Sequence, residues 1–286
     1  MKVRDVIAKV IGGTGLTPMP VNRTCDRLIA GSPDQEVTCI GSTFMATVDV
    51  IRRAIDAGVD MIITHEPTWF TGGDETEWAE DDPVRLAKKE LIDRSGIAIW
   101  RFHDHMHMCR EDGIFRGFDL ETGWREYRMK QEPGDGSVLK GISFDGCYRI
   151  PPTTLKGLAD FLQKTFRMTD MRYIGNPDMR VERVGVLPGG GSLGLGVEYM
   201  PMQLMNRRNL DVIICGDLTE WTLPAYVRDA SQLGMNKGIV VLGHERSEEP
   251  GMKFLGDWMS CFLPEIPVLF LDAEEPFGTF HCEIGE

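Results

Sequence analysis

Apolar, β-branched runs alternate along the chain with stretches of helical period. EVTCIGST (36–43) reads as a strand. MATVDVIRRAIDAG follows it, with Val48, Ile51 and Ile55 at helical spacing and Gly58 as the stop. VDMIITHE (59–66) reads as a buried strand that runs straight into a charged end. DPVRLAKKELIDRSG predicts a helix with Pro83 in its first turn. IAIWRF (97–102) predicts a further strand. Strands that alternate with helices in this way belong to a mostly parallel sheet, since a parallel neighbour needs a crossover long enough to hold a helix.

From about 117 to 137 the pattern weakens into mixed Gly, Arg, Glu and Trp, which reads as an irregular crossing with a linker near 132–137. A second set of units follows. TTLKGLADFLQKTFR sets Leu155, Leu158, Leu162 and Phe166 on one face, with Thr153 or Thr154 as its cap. VERVGVLP (181–188) is a strand closed by GGGSLGLG. DVIICG (211–216) and GIVVLG (238–243) are two more buried strands, with a helix at about 222–233 between them, and PVLFLD (267–272) is another. The fold expected is α/β in two lobes, with mostly parallel or mixed sheets flanked by helices.

The 286 residues suffice for two ordinary domains, and 42% of them are hydrophobic, as in a globular protein. Lys and Arg number 31 against 44 Asp and Glu, a net charge of −13. So acidic a surface repels phosphate backbones and anionic lipid, which argues against duplex nucleic acid as a partner. No stretch of about 18 apolar residues is present to span a membrane. MKVRDVIAKVIGGTG is too broken by charge and glycine to read as a signal peptide. The seven cysteines are scattered, with no C-x-x-C pair, which points to reduced thiols in a cytosol.

Candidate chemistry collects where strands end. Sites in open α/β sheets lie outside the carboxyl ends of the strands. Three such ends carry metal-ligand residues: His65 and Glu66 after DMIIT, the run HDHMH after the strand at 97–102, and His244 with Glu248 after GIVVL. Five of the six histidines lie there, and only His281 does not. Imidazole with carboxylate is the ligand set of zinc, manganese, iron or cobalt, and two or more carboxylates suit a two-metal site. If a helix starts at 244, His244 and Glu248 share a face. The spacing within RFHDHMHMC leaves two geometries open. Extended, His103, His105 and His107 share one face; helical, only His103 and His107 do. GGGSLGLG offers either an anion cradle or a tight strand-to-helix turn, and it lacks the Gly-Lys-Ser/Thr of a P-loop. No G-x-S-x-G supports a serine nucleophile, and Cys109 is at most a stray ligand.

In these residues the sequence resembles the Nif-three-like family, whose members are often labelled GTP cyclohydrolase I type 2 homologues. The resemblance runs in order through nearly the whole chain. DMIITHEPTWF is similar to the family's strand ending in His-His-Pro-x-x-Phe, and HDHMH to its His-Thr-x-x-Asp. LPGGGS is similar to its glycine-rich turn, DVIICGDLTEW to its strand followed by Gly-Glu or Gly-Asp, and GHERSE to its Gly-His-x-x-Ser/Thr-Glu. The family's Trp-Asp-Asn signature is eroded here to TCDRLIAG. Its second histidine is Glu66 here, and its aspartate falls on His107. Carried over by position, the implied ligands are His65, Glu66, His107, His244 and Glu248. That is again three histidines and two carboxylates. His103 keeps the family's histidine position close by and joins the candidate ligands, and His105 is supporting or spare.

The resemblance implies two divalent metals between two lobes and a ring-like homo-oligomer, typically a hexamer. The first lobe would comprise 1–136 and 244–286, so that His244 and Glu248 can meet His65, with 137–243 as an inserted lobe. Two functional readings follow. One is a metal-dependent hydrolase acting on a small phosphorylated or nucleotide-like substrate, with Glu66 or Glu248 bridging the metals or acting as general base. The other is a metal-handling or regulatory interaction protein without turnover.

Overall fold

In the computed structural model of the chain, the strands expected at 36–43, 59–66 and 97–102 lie side by side as Ile40–Thr43, Met61–Thr64 and Ala98–Arg101. The structure describes residues 1–130, 138–139, 142–143 and 146–280, so the linker expected near 132–137 and His281 lie outside the described residues. Two compact units make up the chain. One is Met1–Gly117 with Glu249–Ala273, and the other is Phe118–Glu248 with the residues from Glu274 on. The division falls inside two helices, Gly113–Thr122 and His244–Lys253.

The first unit holds a five-stranded mixed sheet, in the order Leu28–Ala30, Ala98–Arg101, Met61–Thr64, Ile40–Thr43, Val268–Phe270. Only Leu28–Ala30 runs antiparallel to its neighbour. The central strands are buried along their whole length, which is why they read as unbroken apolar runs. Alternate side chains feed two cores. Ile62 and Ile99 pack with Val50, Ile51 and Ala54 of helix Val48–Asp56 and with Ile92 of helix Pro83–Ser95. Met61, Ile63 and Trp100 pack on the other face with Val3, Val6 and Val10 of helix Val3–Gly13 and with Met252 and Met259. The inward face of Val48–Asp56 thus differs from the one expected. Ile55 is exposed, because Val50, Ile51 and Ala54 form a tighter stripe against the sheet. Pro83 does open its helix, with Asp82 accepting from Arg85 N–H at 2.9 Å.

The second unit holds another five-stranded mixed sheet, in the order Cys147–Thr154, Arg180–Leu187, Val212–Cys215, Gly238–Val241, Arg172–Ile174. The three middle strands are parallel and the outer two antiparallel to them. Leu155, Leu158, Leu162 and Phe166 are all buried along helix Leu155–Phe166, and Thr154 caps it through Gly157 N–H at 3.0 Å. Ile213, Cys215, Ile239 and Val241 pack with Leu204 of helix Met200–Arg207 and Val227 of helix Leu223–Gln232. The irregular crossing expected from about 117 is corrected at its start. Helix Gly113–Thr122 runs into it, followed by a 3-10 turn at Arg125–Tyr127. Among the described residues no helix is long and apolar enough to cross a membrane.

Candidate metal centre

In the first unit, strands Met61–Thr64 and Ala98–Arg101 are parallel neighbours, with Thr64 beside Arg101. Their carboxyl ends therefore deliver His65 and His103 to one place. After Phe102 the chain turns into the short helix Asp104–Met108, which settles the geometry of RFHDHMHMC as helical. His107 returns one turn after His103. The three rings face one another, with centroids 4.5 Å apart for His65–His103, 5.0 Å for His65–His107 and 4.7 Å for His103–His107. Ligand atoms of all three lie within 4.8 Å of one another.

Acceptors behind each ring decide which nitrogen looks inward. His65 Nδ1 is 3.3 Å from the Phe102 carbonyl, which can only accept, so Nδ1 carries the proton and Nε2 the lone pair. His103 Nδ1 meets Asp104 Oδ1 at 3.0 Å and His107 Nδ1 meets Asp112 Oδ2 at 2.9 Å. Carboxylate or carbonyl behind imidazole is the arrangement that orients metal-binding histidines and raises their basicity. Burial lowers the His103 pKa, and the neighbouring His65 adds to this, against the pull of Asp104. A neutral ring keeps its lone pair. The His103 hydrogen bond holds the Asp104 carboxyl well below the usual carboxylate range.

His105 points elsewhere. It is buried, its Nδ1 lies 2.6 Å from Asp26 Oδ2, and its Nε2 accepts from Met19 N–H at 3.1 Å. With both nitrogens engaged, it ties down the N-terminal segment. Asp26 also accepts the backbone N–H groups of His103, Asp104 and His105 at 2.7, 2.7 and 2.9 Å. It thereby caps the turn that brings His107 back to His103. Cys109 is no ligand candidate here. Its thiol sits against the carbonyls of Met106 and Glu111, and burial pushes its pKa up to about 11.

Glu66 extends this cluster. Its Oε1 is 3.8 Å from His103 Nε2, and its Oε2 accepts from Arg101 Nη2 at 3.1 Å.

In the second unit, His244 opens helix His244–Lys253, and Glu248 stands one turn on. His244 Nε2 and Glu248 Oε2 converge to 3.1 Å, and His244 Nδ1 meets Asp217 Oδ2 at 2.8 Å. GGGSLGLG begins as a 3-10 turn, Gly189–Leu193. Gly189 N–H goes to Ser247 Oγ, Gly191 N–H to the Pro188 carbonyl and Gly194 N–H to the Gly191 carbonyl. These amides are spent within the unit, as a tight turn requires. A Cβ on Gly189 would stand 2.0 Å from Glu248 Oε1 and 2.7 Å from His244 Nε2, so the glycine lets the turn close onto the pair.

The donors fit a divalent transition metal. Four imidazoles have Nδ1 committed to oxygen, which leaves Nε2 as the donor, and Glu66 and Glu248 add carboxylate oxygen. Sequence reasoning did not single out Asp26, Asp112, Asp217 or Arg101. Asp217 had a signal, since it follows the buried strand Val212–Cys215 in the run CGD. Asp26 lies within the run TCDRLIAG already noted, and Asp112 lies in a loop with no such mark.

Comparison with known proteins agrees with this architecture. A curated relative from Clostridium acetobutylicum, described as a GTP cyclohydrolase 1 type 2 homolog, is 27% identical over 79% of this chain and 77% of its own. Staphylococcus aureus protein SA1388 has the same fold, with a TM-score of 0.69 at 19% identity over 98% of this chain and 99% of that one. A Bacillus cereus protein related to NIF3 aligns with a TM-score of 0.70 at 14% identity, again over 98% and 99%. The family model described as Duf34/NIF3 (NGG1p interacting factor 3) matches residues 26–276, a span that takes in both clusters, and the chain belongs to that family.

Proposed function

We propose that the protein holds two divalent transition-metal ions through His65, Glu66, His103, His107, His244 and Glu248, and that it is a metal-dependent hydrolase. The observation that carries this reading is the meeting of the His65, His103 and His107 rings, each with Nδ1 anchored on oxygen, together with the His244–Glu248 pair whose ring is anchored on Asp217. Anchoring of this kind is needed for a metal ligand and is not needed for a surface histidine. The substrate class proposed is a small phosphorylated or nucleotide-like molecule, a choice supported by the name carried by the curated relatives. When bound, such ions make water acidic enough to attack at neutral pH and polarise a phosphoryl or amide-like oxygen.

The chain's own groups have defined tasks in this proposal. Asp104, Asp112 and Asp217 keep the imidazoles in the donor tautomer. Glu248, buried beside His244, is the proton acceptor with the closest ligand neighbour, and Glu66 supplies the second carboxylate. A homohexameric ring belongs to the same proposal and rests on family membership. Cytosolic residence rests on the free thiols of the six described cysteines.

Elemental analysis of two variants tests the ligand set. His107→Ala should lose about one metal per chain, because a direct ligand matters more than its roughly 10–100-fold supporting neighbours. His105→Ala should keep both ions and lose stability only, since its ring is tied to Asp26 and Met19. Metal loss from His105→Ala with retention in His107→Ala would sink the assignment.

A further inference from the structure

Arg101 is the last residue of its strand and its side chain is 4% exposed. A guanidinium this deep needs its N–H groups matched. Nε donates to the His65 carbonyl at 3.1 Å, Nη1 to the Gly72 carbonyl at 2.6 Å and Nη2 to Glu66 Oε2 at 3.1 Å. Asp74 Oδ2 lies 3.6 Å from Nη1. Asp74 Oδ1 in turn accepts from the backbone N–H groups of Thr68 and Trp69, both at 2.7 Å. Acceptors on all three nitrogens hold the planar fork in one orientation, which a lysine could not reproduce.

The consequence falls on Glu66. One of its oxygens is bonded to a fixed cation, and the other lies 3.8 Å from His103 Nε2. A carboxylate that chelates one ion, or spans two through separate oxygens, needs both. The guanidinium also draws on the carboxylate's charge, and that weakens its pull on a hard cation more than it weakens the imidazoles.

We infer that Arg101 is a positioning residue that restricts Glu66 to ligation through Oε1 alone, and so biases the imidazole cluster towards nitrogen-preferring ions such as Co(II) over oxygen-preferring Mn(II). This rests on the reading that His65, His103 and His107 bind metal. It assigns the bridging role to a group other than a two-oxygen Glu66.

The test is competitive binding of Co(II) and Mn(II) to the purified, chelator-stripped full chain, read together with the visible absorption of bound Co(II). Wild type should prefer Co(II). Arg101→Met frees Oε2, so the preference should fall about tenfold or more, through a gain in Mn(II) affinity. Its Co(II) absorption should weaken as the coordination number rises. Glu66→Gln/Arg101→Met has no Glu66 carboxylate to release, and should show no Mn(II) gain while removing one of the two carboxylate charges, Glu66 and Asp74, that Arg101→Met leaves unbalanced. If Arg101→Met does not fold, Arg101→Gln, which keeps one donor and loses the charge, should move the ratio in the same direction. A purely structural role would lower both affinities and leave their ratio alone, and that result overturns the inference. So does the same Mn(II) gain in the double variant. A wild-type chain that binds neither ion defeats the metal-centre reading itself, which a bound but unshifted ratio does not.

Discussion

The two clusters bring imidazole and carboxylate together by different means. In the first unit three rings come from two strand ends, and distant residues hold them in place. Asp26 caps the His103 turn from 77 residues away, and Arg101 reaches 35 residues back to Glu66. In the second unit one helical turn does most of the work, since His244 and Glu248 are four residues apart on one helix. The first cluster is thus a tertiary construction resting on buried charge. The second is largely local. Changes around the first should therefore cost more fold stability than changes around the second.

The largest effect expected is at Asp26. Its carboxylate is buried and accepts three backbone N–H groups and the His105 ring. Asp26→Ala leaves these donors without their acceptor, at about 4 kcal/mol of unfolding free energy, since bonds to charged groups are each worth roughly 1.5–3 kcal/mol and water recovers part. The nearest counterpart in the second unit is Ser247, whose hydroxyl accepts Gly189 N–H at 3.0 Å and donates to the His244 carbonyl at 2.8 Å. Ser247→Ala should cost about 1 kcal/mol. Urea unfolding of the two variants decides it, and equal losses would break the contrast.

The same contrast governs what could be read from the residues. The buried parallel strands were visible because a strand covered on both faces is an unbroken apolar run, as in VDMIITHE and DVIICG. The His244–Glu248 pair was visible because helical spacing is local. The edge strands Leu28–Ala30 and Arg172–Ile174 were not, being short and only partly buried. RFHDHMHMC was ambiguous for a physical reason. Its turn is set by Asp26, and no local pattern contains that contact. Within TCDRLIAG, Asp26 makes the four bonds that hold this turn.

A second expected effect concerns pH. Lys88 is buried below the loop that follows His65, with Nζ donating to the Thr68 carbonyl at 2.7 Å. Burial lowers its pKa to about 8, with Asp74 opposing. The unfolded chain holds this proton up to about pH 10.4, so between the two values it binds more protons than the folded one. Stability from this group therefore rises with pH across that window, and below it the buried charge is a standing cost. Each tenfold change in proton affinity is worth roughly 1.4 kcal/mol, so the whole effect is about 3 kcal/mol. Lys88→Met should remove that rise, seen as a shrinking difference from wild type in urea unfolding between pH 8 and pH 10. A constant difference would show that Lys88 is not buried as a charge, and would weaken the account of the first unit as a charge-supported construction.

The smallest and sharpest contrast lies between the two aspartates behind His107 and His244. Both hold an Nδ1, at 2.9 Å for Asp112 and 2.8 Å for Asp217, so distance alone gives them equal weight. Their surroundings differ. The Asp112 side chain is 14% exposed and that of Asp217 is 42% exposed. Asp112 also caps helix Gly113–Thr122 through Ile114 N–H at 2.8 Å, which fixes its rotamer. Water can take over the acceptor role at the open position and not at the covered one. Loss of such a supporting partner lowers metal affinity by about 10–100-fold. Asp112→Asn should lie near the upper end of that range and Asp217→Asn near the lower, in chelator competition on the full chain. Asparagine keeps the shape and one acceptor oxygen, so the loss reports the missing charge and the freedom of the amide to turn its NH2 towards the ring. A larger loss at Asp217 would reverse the contrast, and would mean that the His244 ring depends more on its orienting carboxylate than the His107 ring does.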